Sequence, residues 1–328
     1  MSEIRRIDCL LPLYNFVFSQ RIFRQGIMEK STALDSNSSV VSSPVKDIAA
    51  LFKVRLSLLV IVSAVLGYFI GTSIVDWGKL IALGLGGFLL TGGSNGMNQV
   101  LERNWDKLMT RTQNRPIPTG AMSPMKAGVI SMVAGIVGIA MLWYFINAAT
   151  GVLGLLAFFL YVFVYTPLKR VTSLAVFVGA FPGAVPPMLG YIAATGTYGV
   201  EAGSLFAMQF MWQFPHFWSI AWVAHEDYQR GGYNLLPFKE GRTKRSAYQI
   251  FLYSLFLIPV SLLPWAFPEV KPLVGNLAAA VAIIAGGFMA WYSFKLYRSC
   301  DVRDAKKVMF TSFFYLPLVQ IFYVIDKL

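Results

Sequence analysis

The sequence predicts an all-α polytopic membrane protein, nine transmembrane helices around a central pocket that is part polar and part apolar. Three observations carry that expectation. First, of 328 residues 56% are hydrophobic and 13% charged, with a mean hydropathy of +0.59. Soluble domains lie nearer 45–50% apolar and about 25% charged, which excludes a soluble enzyme and a disordered tail protein. Second, nine stretches approach the roughly 20 apolar residues that a membrane-crossing helix needs. Third, the bilayer core accepts only helices or closed barrels, and runs of this length without alternation are helical.

In chain order, residues 1–46 form an N-terminal extension, serine-rich from Ser31 to Pro44 and read as a flexible linker. Its upstream apolar stretch Leu10–Phe18 is short and lacks a small-residue cleavage pattern, unlike a secretory signal. Glu3, Asp8 and Glu29 argue against a mitochondrial transit peptide, and Met28 stands as an alternative start. The transmembrane domain, 47–328, holds spans at about 56–73, 80–101, 125–147, 151–167, 173–195, 204–225, 249–267, 273–294 and 308–325. The fourth is the shortest. Glycines in the second (Gly84, Gly86, Gly87) and prolines in the fifth and sixth (Pro182, Pro186, Pro187, Pro215) are compatible with spanning, because neighbouring helices re-satisfy the backbone. Cys9 and Cys300 fit neither a disulfide framework nor a metal spacing.

Charge sets the orientation. The net charge is +12, and every Lys and Arg except Lys79, Lys271 and Lys327 falls in the N-terminal segment or in alternate loops. The positive-inside rule then places the N-terminus in the cytoplasm and the C-terminus outside. The bacterial plasma membrane is favoured over the mitochondrial inner membrane. The basic surplus is thus a topology signal, with the lipid bilayer as partner and no nucleic acid.

The acids are the informative minority. Asn98, Glu102 and Asp106 recur every four residues at the cytoplasmic end of the second span, one stripe drifting about 40° per step. Two carboxylates and an amide oxygen suit a hard cation, and Mg²⁺ takes such ligands together with substrate phosphates and water. Lys107, Arg111 and Arg115 follow at once, and arginine grips phosphate with a bidentate fork. The sixth span repeats the arrangement: Asp227 precedes Arg230, Lys239, Arg242, Lys244 and Arg245. The chain therefore reads as two related halves facing one polar mouth. A solvated helix end is the plain alternative for either acid alone. Ionisable clusters at a membrane mouth are costly, and two of them favour function. If the sixth span is continuous, Gln209, His216 and Asp227 fall within about 20° of one line, with His216 some 16 Å below Asp227.

With these residues on the page, the chain resembles the intramembrane prenyltransferase superfamily, and within it the branch that farnesylates protohaem IX. The resemblance covers roughly residues 47–325. It rests on Asn98-x-x-x-Glu102-x-x-x-Asp106-x-x-Met109-x-Arg111-Thr112-x-x-Arg115-Pro116, on Tyr165-Thr166-x-x-Lys169-Arg170, and on Gly183-Ala184-x-Pro186-Pro187-x-x-Gly190-Tyr191. Trp212-Gln213-x-Pro215-His216 and Asp227-Tyr228 leading to Leu236-Pro237 complete it. The chain departs from the family pattern at Glu102 and at Asn104, where the family often carries Asp, and Asn104 is given no role. The resemblance implies that farnesyl diphosphate lies between the second and sixth spans. Mg²⁺ would bridge it to Asn98, Glu102, Asp106 and Asp227, the catalytic set. Arg111, Arg115, Lys169 and Arg170 would neutralise the leaving diphosphate. The vinyl group of haem B would capture the allylic cation, and water would complete the product, haem O. His216 and Gln213 are implied as haem contacts; a histidine held by a neighbouring helix is the alternative. A partner in the haem A pathway or in terminal oxidase assembly belongs to the same implication. Prenylation of a quinone precursor or a chlorophyll-type alcohol would use the same metal half. An anionic-solute transporter would place its polar residues nearer the midplane.

Overall fold

Lengths of helix much greater than soluble proteins use dominate the chain, as the apolar runs require. The computed structural model describes residues 43–266 and 272–328, and Ser42–Leu328 form one compact unit. The expectation of a flexible extension over 1–46 lies almost wholly outside the described residues. A short helix α1 (Pro44–Leu51) leads into α2 (Val54–Gly71), α3 (Trp77–Asp106), α4 (Pro124–Phe145) and α5 (Ala148–Leu168), which has a π turn at Leu160–Tyr165. Then come α6 (Ala175–Thr195), α7 (Val200–Val223), the short α8 (His225–Arg230), α9 (Lys244–Ser261), α10 (Asn276–Ser299) and α11 (Val302–Ile325). Among the described residues, each of the nine expected spans falls on a helix.

Among the described residues eight helices are long and apolar enough to cross a membrane, which makes this a multi-pass membrane protein. Helix α7 is not one of the eight, although it has 24 residues. It carries Gln209, Gln213, Pro215 and His216, and the two glutamines are buried against neighbouring helices. Polar content that would be intolerable facing lipid is acceptable where other helices satisfy it.

Local chemistry fixes the helix ends. Asp76, Ser123, Asn147, Thr243 and Asp301 each accept from a backbone amide within the first turn of the helix that follows. Asp326 caps α10 from a distance, accepting from Ala278 N at 2.7 Å. Lys327 donates to the carbonyls of Phe69 and Thr72 at the end of α2, so the last residues tie the first long helix to the last.

Packing rests on glycine at close crossings. A Cβ on Gly190 would sit 1.8 Å from the Ala64 carbonyl oxygen, and one on Gly67 would sit 2.1 Å from that of Pro187. Helices α2 and α6 therefore touch backbone to backbone, the small-residue contact that serves membrane helices where lipid is as apolar as leucine. Prolines of α6 have a second use. Pro187 has no N–H, so the Gly183 carbonyl one turn earlier loses its helical donor. Gln209 and Gln213 of α7 donate to that carbonyl at 2.7 and 2.9 Å. Gln209 Oε1 in turn accepts from Ser63 of α2 and Gln320 of α11, and the four helices meet at one buried polar knot.

Helix α3 is decisive for the site. At 30 residues it is about 45 Å long, longer than a hydrocarbon layer of roughly 30 Å. The apolar span expected at about 80–101 lies within it, and the helix continues to Asp106, so the acidic stripe expected on its end is carried on regular helix.

Gly190→Ala should destabilise the protein strongly, by about 1–3 kcal/mol for overpacking against rigid backbone. Gly203→Ala, with no atom within 4 Å of the added carbon, should be neutral or mildly stabilising. Thermal unfolding of both variants in one detergent checks the contrast.

Candidate functional site

Asn98, Glu102 and Asp106 lie on one face of α3, at 2%, 5% and 0% exposure. Ionised carboxylates cannot sit at such burial unpaired. Glu102 is 2.5 Å from Lys169, which follows α5, and Asp106 is 2.6 Å from Arg115, in the connection after α3. Thr112 donates to the Asp106 carbonyl at 2.8 Å and closes that connection back onto the helix end. Asn98 Nδ2 donates to Thr166 at 3.2 Å, so the amide is oriented and its oxygen is left as an acceptor. Asp106 Oδ1 is buried and has no hydrogen-bond partner among the described residues.

Lys169 is further held between rings. Its Nζ lies 4.9 Å from the centroid of Tyr165 and 5.7 Å from that of Tyr233. Burial raises the phenol of Tyr233 above its ordinary range, and the charges of Glu102 and Asp106 add to this. Tyr233 is therefore a neutral O–H group beside two carboxylates. Tyr165 opens the Tyr165-Thr166-x-x-Lys169-Arg170 motif without a role of its own, and Tyr233 is masked in the sequence because at 15% aromatic most rings are packing residues. Arg170 stacks over Trp105, 3.9 Å to the ring centroid, outside the carboxylate pair.

The second acidic segment meets the first, but not as a continuous helix would bring it. Helix α7 stops at Val223 and Ala224 breaks it (φ −98°, ψ 24°). Arg242 donates to the Trp222 and Val223 carbonyls and pairs with Glu226, which seals the end. The line expected through Gln209, His216 and Asp227 is thus corrected: Asp227 belongs to the separate α8. Its carboxylate accepts from the backbone amides of Thr110 (2.7 Å) and Arg111 (3.1 Å) and pairs with Arg230. Arg111 donates to Tyr228 at 3.1 Å and lies 5.0 Å from its ring centroid. The two acid-then-basic connections therefore interlock, with Asp227 as the clasp. Partial burial opposes ionisation of Asp227, but Arg230 and the two amides outweigh it and hold the carboxyl below the usual aspartate range.

Among the described residues no three His, Cys, Asp or Glu side chains form a ready metal cluster. The donor set nonetheless fits a magnesium ion shared with a ligand. It comprises two carboxylates and one oriented amide on one helix face, with an orphaned oxygen at Asp106. Mg²⁺ takes one or two carboxylates and completes its octahedron with phosphate and water. Asp227 has both oxygens committed to the clasp.

Residues 60–316 match the model of the UbiA prenyltransferase family. The chain belongs to that family. It is 43% identical over 297 residues to the protoheme IX farnesyltransferase of Christiangramia forsetii, covering 90% of this chain and 97% of the relative. It is 44% identical over 279 residues to that of Cytophaga hutchinsonii, covering 85% and 96%. The human mitochondrial protoheme IX farnesyltransferase is 34% identical over 277 residues, 83% of this chain and 60% of the human one. The fold is that of two solved structures. A digeranylgeranylglyceryl phosphate synthase superposes with a TM-score of 0.72 at 17% identity, over 86% of this chain and 98% of the synthase. A UbiA homologue from Archaeoglobus fulgidus bound to GPP and Mg²⁺ superposes at 0.62 and 13% identity, over 85% and 99%. The UbiA-family chain is accordingly an intramembrane prenyltransferase.

His216 sits below the charged mouth on α7. Its ring stacks on Trp212 (4.2 Å, 18°), and its Nδ1 is 2.9 Å from Ser312 Oγ of α11. Ser312 commits its own hydrogen to the Met309 carbonyl at 2.6 Å, so Nδ1 must be the donor and Nε2 keeps its lone pair. The histidine is held by a neighbouring helix, with Nε2 as its unprotonated ring nitrogen. Gln213 faces the Gly183 carbonyl.

Asp227→Asn would set an amide NH₂ against a backbone N–H that the carboxylate now accepts. The expected loss is about 1–3 kcal/mol of local stability, read as faster amide exchange at Thr110 and Arg111. A depressed pKa contributes above the ordinary aspartate range and is lost as pH falls through the lowered value, so in the native protein those amides should show no loss of protection between pH 8 and 5.

Proposed function

We propose that this chain transfers a farnesyl group from farnesyl diphosphate to a vinyl group of protohaem IX, with addition of water, giving haem O and diphosphate. The observation that carries the reading is the buried Glu102–Asp106 pair with its cations Lys169 and Arg115, at the mouth of an apolar helix bundle. Such a mouth receives a diphosphate while the bundle receives a prenyl chain. The acceptor is supported by the two bacterial protoheme IX farnesyltransferases that match 90% and 85% of this chain.

Departure of diphosphate moves the electron pair of the farnesyl C1–O bond onto phosphate oxygen. Preorganised cations lower the cost of that charge. Arg115 and Lys169 are prepaired with carboxylates at the helix end, and Arg111 is presented by the clasped loop. Asn98, Glu102 and Asp106 would hold Mg²⁺, which supplies further neutralisation of the phosphate oxygens when bound. The resulting allylic cation forms a carbon–carbon bond to the terminal vinyl carbon. Water adds to the cation left beside the porphyrin ring and releases a proton. Asp227 supports the reaction by holding the Thr110–Arg111 backbone. His216, with Nε2 unprotonated, would contact the haem together with Gln213, one turn away. Arg170, stacked on Trp105, widens the basic rim. The distribution of basic residues supports a cytoplasmic mouth in a bacterial plasma membrane, and the product would pass to a haem-consuming assembly step.

Incubation of purified protein with haem B, farnesyl diphosphate and Mg²⁺ should yield haem heavier by one farnesyl group and one water, less the proton balance of the addition. A prenylated quinone precursor in preference to haem would replace the acceptor assignment. Asp106→Ala should reduce turnover at least about 10³-fold while the protein remains folded, since both the metal donor and the Arg115 partner are lost. Chelation of divalent metal should stop wild-type turnover, and metal-independent turnover would remove Mg²⁺ from the mechanism.

A further inference from the structure

Lys53 stands directly before the first apolar span, where the sequence makes it one more topological charge. Its backbone is unusual. It is left-handed (φ 46°, ψ 55°), a conformation otherwise adopted among the described non-glycine residues by Cys300. L-residues avoid this region, and when one is kept there the surroundings over-determine it. The surroundings here are a strap built onto α3. Gln99 donates to the Ala50 and Leu51 carbonyls at 3.1 and 2.7 Å. Ser57 donates to the Phe52 carbonyl at 2.7 Å, and Asn95 donates to Ser57. The Phe52 ring lies where a Cβ on Gly92 would be, 2.6 Å away. Three polar side chains, two of them from α3, and one glycine thus pin the kink between α1 and α2.

The kink brings the half-buried Lys53 into the electrostatic reach of Arg115, Lys169, Glu102 and Arg111. Among the described residues it forms no ion pair. Burial and the three neighbouring cations push its ammonium well below the ordinary lysine range, against the pull of Glu102. Four basic side chains, Lys53, Arg111, Arg115 and Lys169, converge where Glu102 and Asp106 supply two carboxylates, and Lys53 stands on an element anchored to the same helix as those acids.

We propose that Lys53 is a diphosphate-binding residue, and that the left-handed kink strapped to Asn95 and Gln99 exists to deliver its ammonium to the pocket from the α1–α2 side. This rests on the reading of the pocket as a diphosphate site. It adds a cation from a third direction to those that follow α3 and α5. The trianionic diphosphate supplies the charge that the cation cluster lacks.

The backbone provides a clean test. Glycine adopts the left-handed conformation freely, so Lys53→Gly should fold with a Tm equal to or above that of the wild type. Calorimetric titration with inorganic pyrophosphate and with farnesyl diphosphate, both with Mg²⁺, should show affinity about 10- to 100-fold weaker in this variant, the loss of one charge-assisted contact. Lys53→Arg should recover most of it, and Lys53→Met should not. Equal affinity in wild type and Lys53→Gly would overturn the proposal, as would Lys53→Arg binding as weakly as Lys53→Met. A wild-type protein that binds prenyl diphosphate but leaves haem unmodified would remove the acceptor assignment and keep Lys53. A wild type that binds neither phosphate ligand would overturn the pocket reading and this proposal with it.

Discussion

Two ionised carboxylates buried at the end of one helix constrain everything around them. In a low-dielectric setting each needs a cation at contact distance, and removing one partner leaves a charge that costs several kcal/mol. Lys169 and Arg115 answer Glu102 and Asp106 from two different connections. The ends of α3 and α5 are thereby fixed to each other, and the segment after α3 is folded back on its own helix. The site and the tertiary structure at this end of the bundle are the same set of ion pairs.

Further contacts hold the two long connections at this end, 107–123 and 224–243. Asp227 clasps the backbone of Thr110 and Arg111, Arg111 reaches Tyr228, and Arg242 seals the broken end of α7. Each contact satisfies a backbone or charged group that a shorter loop would leave exposed at a membrane mouth. The result is a rim whose basic groups are positioned before any ligand arrives, the condition under which cations stabilise a departing anion most.

Deeper in the bundle the organising device is the opposite of charge. Proline in α6 releases the Gly183 carbonyl, and Gln209 and Gln213 take it up. Ser63 and Gln320 complete the knot, and Ser312 fixes the orientation of His216. A helix too polar to count as a membrane span by hydropathy is thus the one about which α2, α6 and α11 gather. Its glutamines are structural first, and the bond to Ser312 leaves His216 with Nε2 unprotonated.

Much of this was legible in the sequence by itself. Nine apolar runs, the sidedness of Lys and Arg, and the four-residue spacing of Asn98, Glu102 and Asp106 depend on composition and local period, which survive without three-dimensional information. Lys169 and Arg115 were named because their motifs are contiguous. Three-dimensional facts decided the rest. The break at Ala224 could not be read from residues that would suit a continuous helix, and it arises from Arg242, some twenty positions on. Tyr233 is indistinguishable from a packing aromatic, and Tyr165 is a motif residue without a role, until Lys169 is seen between them. Lys53 looks like a topological charge until the strap to α3 turns it left-handed. Sequence determined which helices cross and which acids are out of place; only long-range contacts decided which cations those acids meet, because ion pairing in a bundle is set by where loops return and not by spacing along the chain.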